Sequence, residues 1–202
     1  MARSPNFAGL ILAAGDSTRM GRDKALLPWQ GQTFLGAAIE SLAPYTELVI
    51  VVGGRNSESL KPIVYAAGAY LVVNPCPEKG QFSSLQVGLT EVLNHGRDAA
   101  IITLVDRPPA RPQTVEALRN RFLEVCPPQP GQWAVVPEFN GQHGHPIVIG
   151  REMIEAFLKA PASTTAREVM HSLQPMIDYF PVNDPAVAAN INTPEEYEQL
   201  KH

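Results

Sequence analysis

Leu10–Pro28 reads LILAAGDSTRMGRDKALLP. An apolar run from Phe7 to Ala13 reads as a buried strand, and it delivers the backbone into a loop of small residues. The loop carries Gly15 and Gly21 near its two ends and two cations, Arg19 and Lys24. Small residues let backbone N–H groups approach an anion, and the cations neutralise it, so the loop reads as a phosphate site. It is not GxGxxG, because Gly15 has no glycine two residues on. Nor is it a P-loop, because Lys24 stands three residues past Gly21 rather than directly after it.

Working outward, the same alternation repeats. Helical spacing over Gln32–Ala43 (Phe34, Leu35, Ala38, Ile39, Leu42) is followed by a strand over Glu47–Val52. A helix over Ser57–Ala67 with Pro62 in its early turns, a strand over Tyr70–Val73, a helix over Ser83–Leu93 and a strand over Ala99–Val105 come next. A helix over Thr114–Val125 follows. Strand and helix in strict alternation predict βαβ units and a parallel sheet, and continuous apolar strands agree, since such sheets are covered on both faces. The second half changes character. Trp133–Pro137 and Pro146–Ile149 read as short strands around the polar turn NGQHGH, an antiparallel excursion. Helices over Glu152–Leu158 and Thr165–Leu173, a strand over Ile177–Pro181 and a helix over Thr193–Leu200, capped by Thr193 with Pro194 first, complete the chain.

Composition narrows the function. The 202 residues are 45 % hydrophobic, enough for one well-buried core. A net charge of −4 argues against a nucleic-acid partner, while a local cationic cluster still admits free nucleotides. The opening MARSPNFAG has no signal-like apolar stretch, and no run reaches the ~18 residues of a membrane span. The expectation is a cytoplasmic protein with no membrane partner and with Cys76 and Cys126 as reduced thiols.

Three further places carry chemistry. Asp106 closes a buried strand at the edge where parallel sheets bind ligands. It reads either as a Mg²⁺ ligand or as a cap for the turn into Arg107-Pro108, and position alone does not choose. In Asn74–Ser84, Gly80 permits a tight backbone and a serine can cap the next helix, with nucleotide contact as the competing reading. His143 and His145 in GQHGHP suggest either a metal site or an exposed polar turn.

Taken together these segments resemble the MobA/MocA-like nucleotidyltransferases of molybdenum-cofactor biosynthesis. LAAGDSTRMGRDKALLP is similar to the family's LAAGxSxRMGxxKxLLP, and NPCPEKGQFSSLQVGL to its NPxxxxGxxxSLxxGL. LVDRPPA stands where the family has DxP, GQHGHPIVIGREMIEAF resembles its GHPV segment, and TTAREVMHSL and NINTPEEYEQL follow in order. The resemblance implies a Rossmann-like three-layer α/β/α sandwich of the nucleotide-diphospho-sugar transferase type, with a mostly parallel, mixed central sheet. It implies a single domain over 1–202, with residues 1–110 as the nucleotide-binding half and 111–202 as the acceptor half.

The implied reaction moves CMP or GMP from CTP or GTP to a phosphate of molybdopterin or its molybdenum form, with Mg²⁺ as cofactor and pyrophosphate released. The nucleotide would lie against Leu12, Ala13, Ala14, Gly15, Arg19, Lys24, Asn74, Gly80 and Ser84. Arg19, Lys24 and Asp106 would be catalytic, Asp106 and Asn192 would hold the metal, and His145 and Pro146 would meet the acceptor. A molybdoenzyme or its chaperone is the protein partner so implied. LAAG, the GHP segment and TTAREV favour CTP; GRDK and NINTPEE lean towards GTP. One departure stands out: Asn190 and Asn192 replace the aspartates of DIDTPED, keeping a carbonyl oxygen and losing the charge. Cytidylyl transfer to a sugar or polyol phosphate, and a non-catalytic nucleotide-binding module, are the alternatives.

Overall fold

The computed structural model describes residues 5–15, 23–126, 131–191 and 193–199. The chain runs β1 (Phe7–Leu12), β2 (Pro28–Trp29), β3 (Gln32–Thr33), α1 (Phe34–Leu42), β4 (Leu48–Gly53), α2 (Ser57–Ala66), β5 (Tyr70–Val73), α3 (Gln81–Asn94) and β6 (Ala99–Leu104). It continues through α4 (Pro112–Val125), β7 (Ala134–Phe139), β8 (Gln142–His143), β9 (Ile147–Gly150), α5 (Arg151–Lys159), α6 (Ala166–Ser172), β10 (Ile177–Pro181) and α7 (Pro194–Gln199).

The central sheet has the order β10-β7-β9-β6-β1-β4-β5, with β8 paired to β7. β1 is parallel to both β4 and β6, and β4 to β5. β9 runs antiparallel between β6 and β7, and β10 returns parallel to β7. The sheet is therefore mixed and mostly parallel, as expected.

Side-chain alternation along β1 builds the layers. Phe7 and Ile11 enter one core with Leu35, Leu42, Leu60, Val115 and Phe122 from α1, α2 and α4. Ala8, Leu10 and Leu12 enter a second core with Leu85 and Leu89 of α3 and Met153 and Phe157 of α5. Each fully buried Leu, Ile or Phe contributes roughly 1.5–3 kcal/mol, so a strand apolar on both faces is stable only between two helical layers.

Helix starts follow local chemistry. The Thr33 hydroxyl accepts from the Gly36 N–H at 3.1 Å and opens α1. Thr165 and Glu168 form a reciprocal capping box on α6, and Thr193 and Glu196 exchange two bonds of 3.2 Å on α7.

Two turns redraw the expected elements. The helix anticipated from Gln32 begins instead at Phe34, because Gln32–Thr33 pairs with Pro28–Trp29. The two residues between them, Gln30 and Gly31, both have positive φ (46° and 85°), as a two-residue hairpin turn requires. Asn140 and Gly141 (φ 50° and 76°) do the same between β7 and β8, so the strand expected to end at Pro137 extends to Phe139. A third small core forms where no long element stands: Leu27, Phe34, Ile191 and Tyr197, with Trp29 against them. It clasps the β2–β3 hairpin to α7, and the Tyr197 hydroxyl donates to the Pro28 carbonyl at 2.5 Å.

Candidate active site

The C-terminal ends of β1, β4 and β6 meet at one edge of the sheet, the edge at which open α/β sheets bind ligands. β1 ends at Leu12, whose side chain faces a large cleft. Ala13 is buried, and its N–H donates to the Val52 carbonyl at 2.8 Å. Ala14 and Gly15 follow, progressively more exposed. Lys24 begins a short 3₁₀ turn, and its Nζ lies 3.7 Å from Asp106 Oδ2 just beyond β6. Two candidates 82 positions apart in sequence are thereby one ion pair. Arg19 and Asn192 lie outside the described residues.

A cluster that sequence reading missed holds this edge together. Asn56, between β4 and α2, donates through Nδ2 to the Ala13 carbonyl at 3.0 Å and to Asp23 Oδ2 at 2.6 Å. Its own Oδ1 accepts from the Gly54 N–H at 3.0 Å. The other oxygen of Asp23 accepts from the Ala25 N–H at 3.0 Å. Asn56 thus joins the exit of β1, the exit of β4 and the far shoulder of the glycine-bounded loop. The only available signals were Asp23 inside GRDK and Asn56 after GGR, both ordinary turn residues.

Asn74 and Ser84 are buried and spent on each other. Asn74 Nδ2 donates to the Ser83 and Ser84 hydroxyls at 2.9 and 3.0 Å, and Asn74 Oδ1 accepts from the Cys76 N–H at 2.9 Å. Their observed work is to shape the loop. Gly80 (φ 91°) is the residue that this loop turns to the cleft, next to Lys79.

The cleft, about 1570 Å³, runs from Leu12 and Gly80 across Phe82, Leu85 and Phe157 to a wall made by β8, β10 and α6. Arg107, His143, His145 and Tyr179 are among the polar and aromatic residues that line the cleft. The His143 ring stacks on Tyr179, with centroids 4.0 Å apart and planes 16° apart, and its Nε2 lies 3.2 Å from Glu138 Oε2. His145 faces the cleft, while Pro146, after a cis peptide, is buried. Burial first, then the positive charge of Arg107, pushes the His145 imidazole down from 6.5 to about 3, so it is neutral at pH 7. The two histidines therefore have separate surroundings, one stacked and one facing Arg107. Among the described residues no group of three or more His, Cys, Asp or Glu side chains converges as a metal cage.

One carboxylate does suit a hard cation. Asp106 Oδ1 is buried and has no hydrogen-bond partner among the described residues, while Oδ2 faces Lys24. Mg²⁺ commonly takes one or two carboxylates and draws its remaining ligands from water and substrate phosphates, so a lone buried oxygen at this edge fits it. The backbone beside it is also held: the Ile191 N–H donates to the Asp106 carbonyl at 2.9 Å, bringing the NINTPEE segment alongside. Cys76 and Cys126 are free thiols. Burial first, with the nearby carboxylates Glu152 and Asp178, pushes Cys126 up to about 12, and its Sγ donates to the Gln132 carbonyl. No described helix is long and apolar enough to cross a membrane.

A family match makes the chain a nucleotidyltransferase. Residues 9–176 match the MobA-like NTP transferase domain, and the chain belongs to that family. A molybdenum cofactor guanylyltransferase of Xanthomonas euvesicatoria is 31 % identical over 202 residues, covering 97 % of this chain and 95 % of that one. A molybdenum cofactor cytidylyltransferase of Escherichia coli is 24 % identical over 197 residues, with 93 % and 92 % covered. Among solved structures, Rv0371c of Mycobacterium tuberculosis superposes with a TM-score of 0.81 at 23 % identity, covering 96 % of this chain and 97 % of that one.

Proposed function

We propose that this enzyme transfers CMP from CTP to a phosphate of molybdopterin or of its molybdenum form. The observation that carries the reading is the pairing of Lys24 with Asp106, with one Asp106 oxygen buried and unspent, at the exit of β1 and β6. An oxygen of the acceptor phosphate attacks the α-phosphorus. The bond from that phosphorus to the oxygen bridging to the β-phosphate breaks, and pyrophosphate leaves. Lys24 and Arg19 bind the triphosphate and balance the charge that gathers on the leaving group. Asp106 and the carbonyl oxygen of Asn192 would hold Mg²⁺, which supplies charge neutralisation to the phosphates. The backbone from Leu12 to Gly15 and Gly80 borders the nucleotide, and Asn74 and Ser84 keep the second loop in shape. The stacked His143–Tyr179 pair offers a flat aromatic surface on the acceptor wall, of the kind that receives a pterin ring.

Both cytidylyl and guanylyl relatives span the chain, so the base is the first thing to measure. Pyrophosphate release is assayed with CTP and GTP, Mg²⁺ and molybdopterin, and in parallel with sugar and polyol phosphates. CTP with molybdopterin is expected to give the highest kcat/KM. Asp106→Ala should lower it by about 10²–10³, the usual loss when one charge-stabilising group is removed. Faster turnover with GTP would reassign the base, and faster turnover with a sugar phosphate the acceptor. Tight triphosphate binding without turnover on any acceptor would leave a binding module.

A further inference from the structure

We propose that Arg107 and His145 form a phosphomonoester subsite that holds the acceptor's phosphate, separate from the triphosphate site at Lys24. The inference rests on the transfer reading above and adds to it where the second phosphate binds. Asp106 and Arg107 are consecutive at the end of β6, yet they face different partners. Asp106 turns to Lys24, whereas Arg107 lines the cleft.

The Arg107 guanidinium is anchored from behind: Nη1 donates to the Val187 and Ala189 carbonyls at 3.2 and 3.4 Å. Its Nε is buried and has no partner among the described residues. His145 is fixed next to it, since its backbone N–H donates to the same Val187 carbonyl at 3.0 Å. Its Nδ1 is also buried and unpartnered among the described residues. A buried polar atom left unmade costs about 1–3 kcal/mol, more when charged, so two neighbouring residues that both line the cleft and each keep such an atom mark a place for a ligand.

The charge of the cleft selects the ligand. Lys79, Arg107 and Arg167 line the cleft, and the one carboxylate that lines it among the described residues, Glu168, is committed to the Thr165 capping box. A phosphomonoester presents several acceptor oxygens to donors in this arrangement, and arginine binds it with directed, charge-assisted bonds. A phosphate held by Arg107 sits one residue along the chain from the carboxylate assigned to the triphosphate side. Two phosphates on adjoining residues are what an attack of one on the other requires.

The test uses phenyl phosphate and inorganic phosphate as probes, titrated calorimetrically into the full chain without nucleotide. Arg107→Gln is expected to weaken both at least about tenfold, and Lys24→Ala to change them less than about twofold. Equal binding by wild type and Arg107→Gln, or loss that follows Lys24→Ala instead, would overturn the subsite. If Arg107→Gln does not fold, phenylglyoxal labelling of the wild type decides. Phenyl phosphate should protect Arg107 from modification, and unprotected Arg107 at saturating probe rejects the proposal. A chain that binds phenyl phosphate through Arg107 yet never releases pyrophosphate would keep the subsite and remove the transfer reading.

Discussion

His145 shows how a single residue acquires a property that its letter does not contain. In the sequence it is one of two histidines in a polar turn. In the fold it faces the half-buried Arg107 and stays neutral down to about pH 3. The unfolded imidazole takes its proton near 6.5, so between roughly 3 and 6.5 the unfolded state binds more protons than the folded one. Stability therefore rises with pH across that window and falls as the solution is acidified, by at most about 1.4 kcal/mol per pH unit. Urea midpoints at pH 7, 5.5 and 4.5 are expected to fall more steeply in wild type than in His145→Phe; parallel lines would contradict this. His143 makes a different prediction. Its ring stacks on Tyr179 in the part of the cleft proposed for the acceptor, so on that proposal His143→Ala should raise the acceptor KM by about 5- to 100-fold and leave the CTP KM unchanged. Asp106 and Lys24 were legible as candidates because a strand end and a glycine-bounded loop are local patterns. Arg107 was not, since an arginine after Asp106 carries no sign of the carbonyls at 187 and 189 that anchor it.

At the scale of elements, the β7–β8 hairpin and the approach to α4 are held by contacts across long stretches of chain. Gly144 lies where an added Cβ would run into the Val187 carbonyl, which also receives the His145 N–H. Gly144→Ala must push that backbone aside, at a cost of about 1–3 kcal/mol of overpacking, and should weaken acceptor binding as His145 shifts. Thermal melting and acceptor KM together check it, and an unchanged pair of values would show that the segment yields freely. Asp184 is buried and accepts from the Arg111 N–H and the Thr114 hydroxyl, both at 2.8 Å, and from the Ala186 N–H at 3.1 Å. Asp184→Ala strands those donors and is expected to lower the unfolding free energy by about 1–3 kcal/mol, seen as a lower urea midpoint at constant slope. The strands and long helices were readable because period-2 and period-3.6 patterns live inside one segment. The start of α1 was misplaced because the Trp29–Gln32 turn outweighs the helical pattern that begins at Gln32.

Across the whole molecule, the last helix returns to the first loop. Tyr197 packs against Phe34 with centroids 6.0 Å apart and donates to Pro28, while Ile191 joins the same small core and donates to the Asp106 carbonyl. Tyr197→Ala should therefore lower the melting temperature and also weaken triphosphate binding, because it loosens both the shoulder of the loop and the support behind Asp106. Tyr197→Phe, which loses only the hydrogen bond, should retain most of the binding; equal losses in the two variants would remove the packing explanation. The sequence by itself determined the α/β alternation, the mostly parallel sheet, the glycine-bounded loop after β1 and the identity of its ordered partner motifs. These are properties of short segments, set by periodicity, turn chemistry and caps. Only the tertiary structure decided that Lys24 reaches Asp106 and that Asn74 and Ser84 spend their polar atoms on each other. It alone joined Asn56 to three chain segments and set Arg107 and His145 in one cleft. Such pairings depend on how the sheet edge brings distant strand ends together, and on which polar atoms burial leaves without a partner, and no local pattern encodes either.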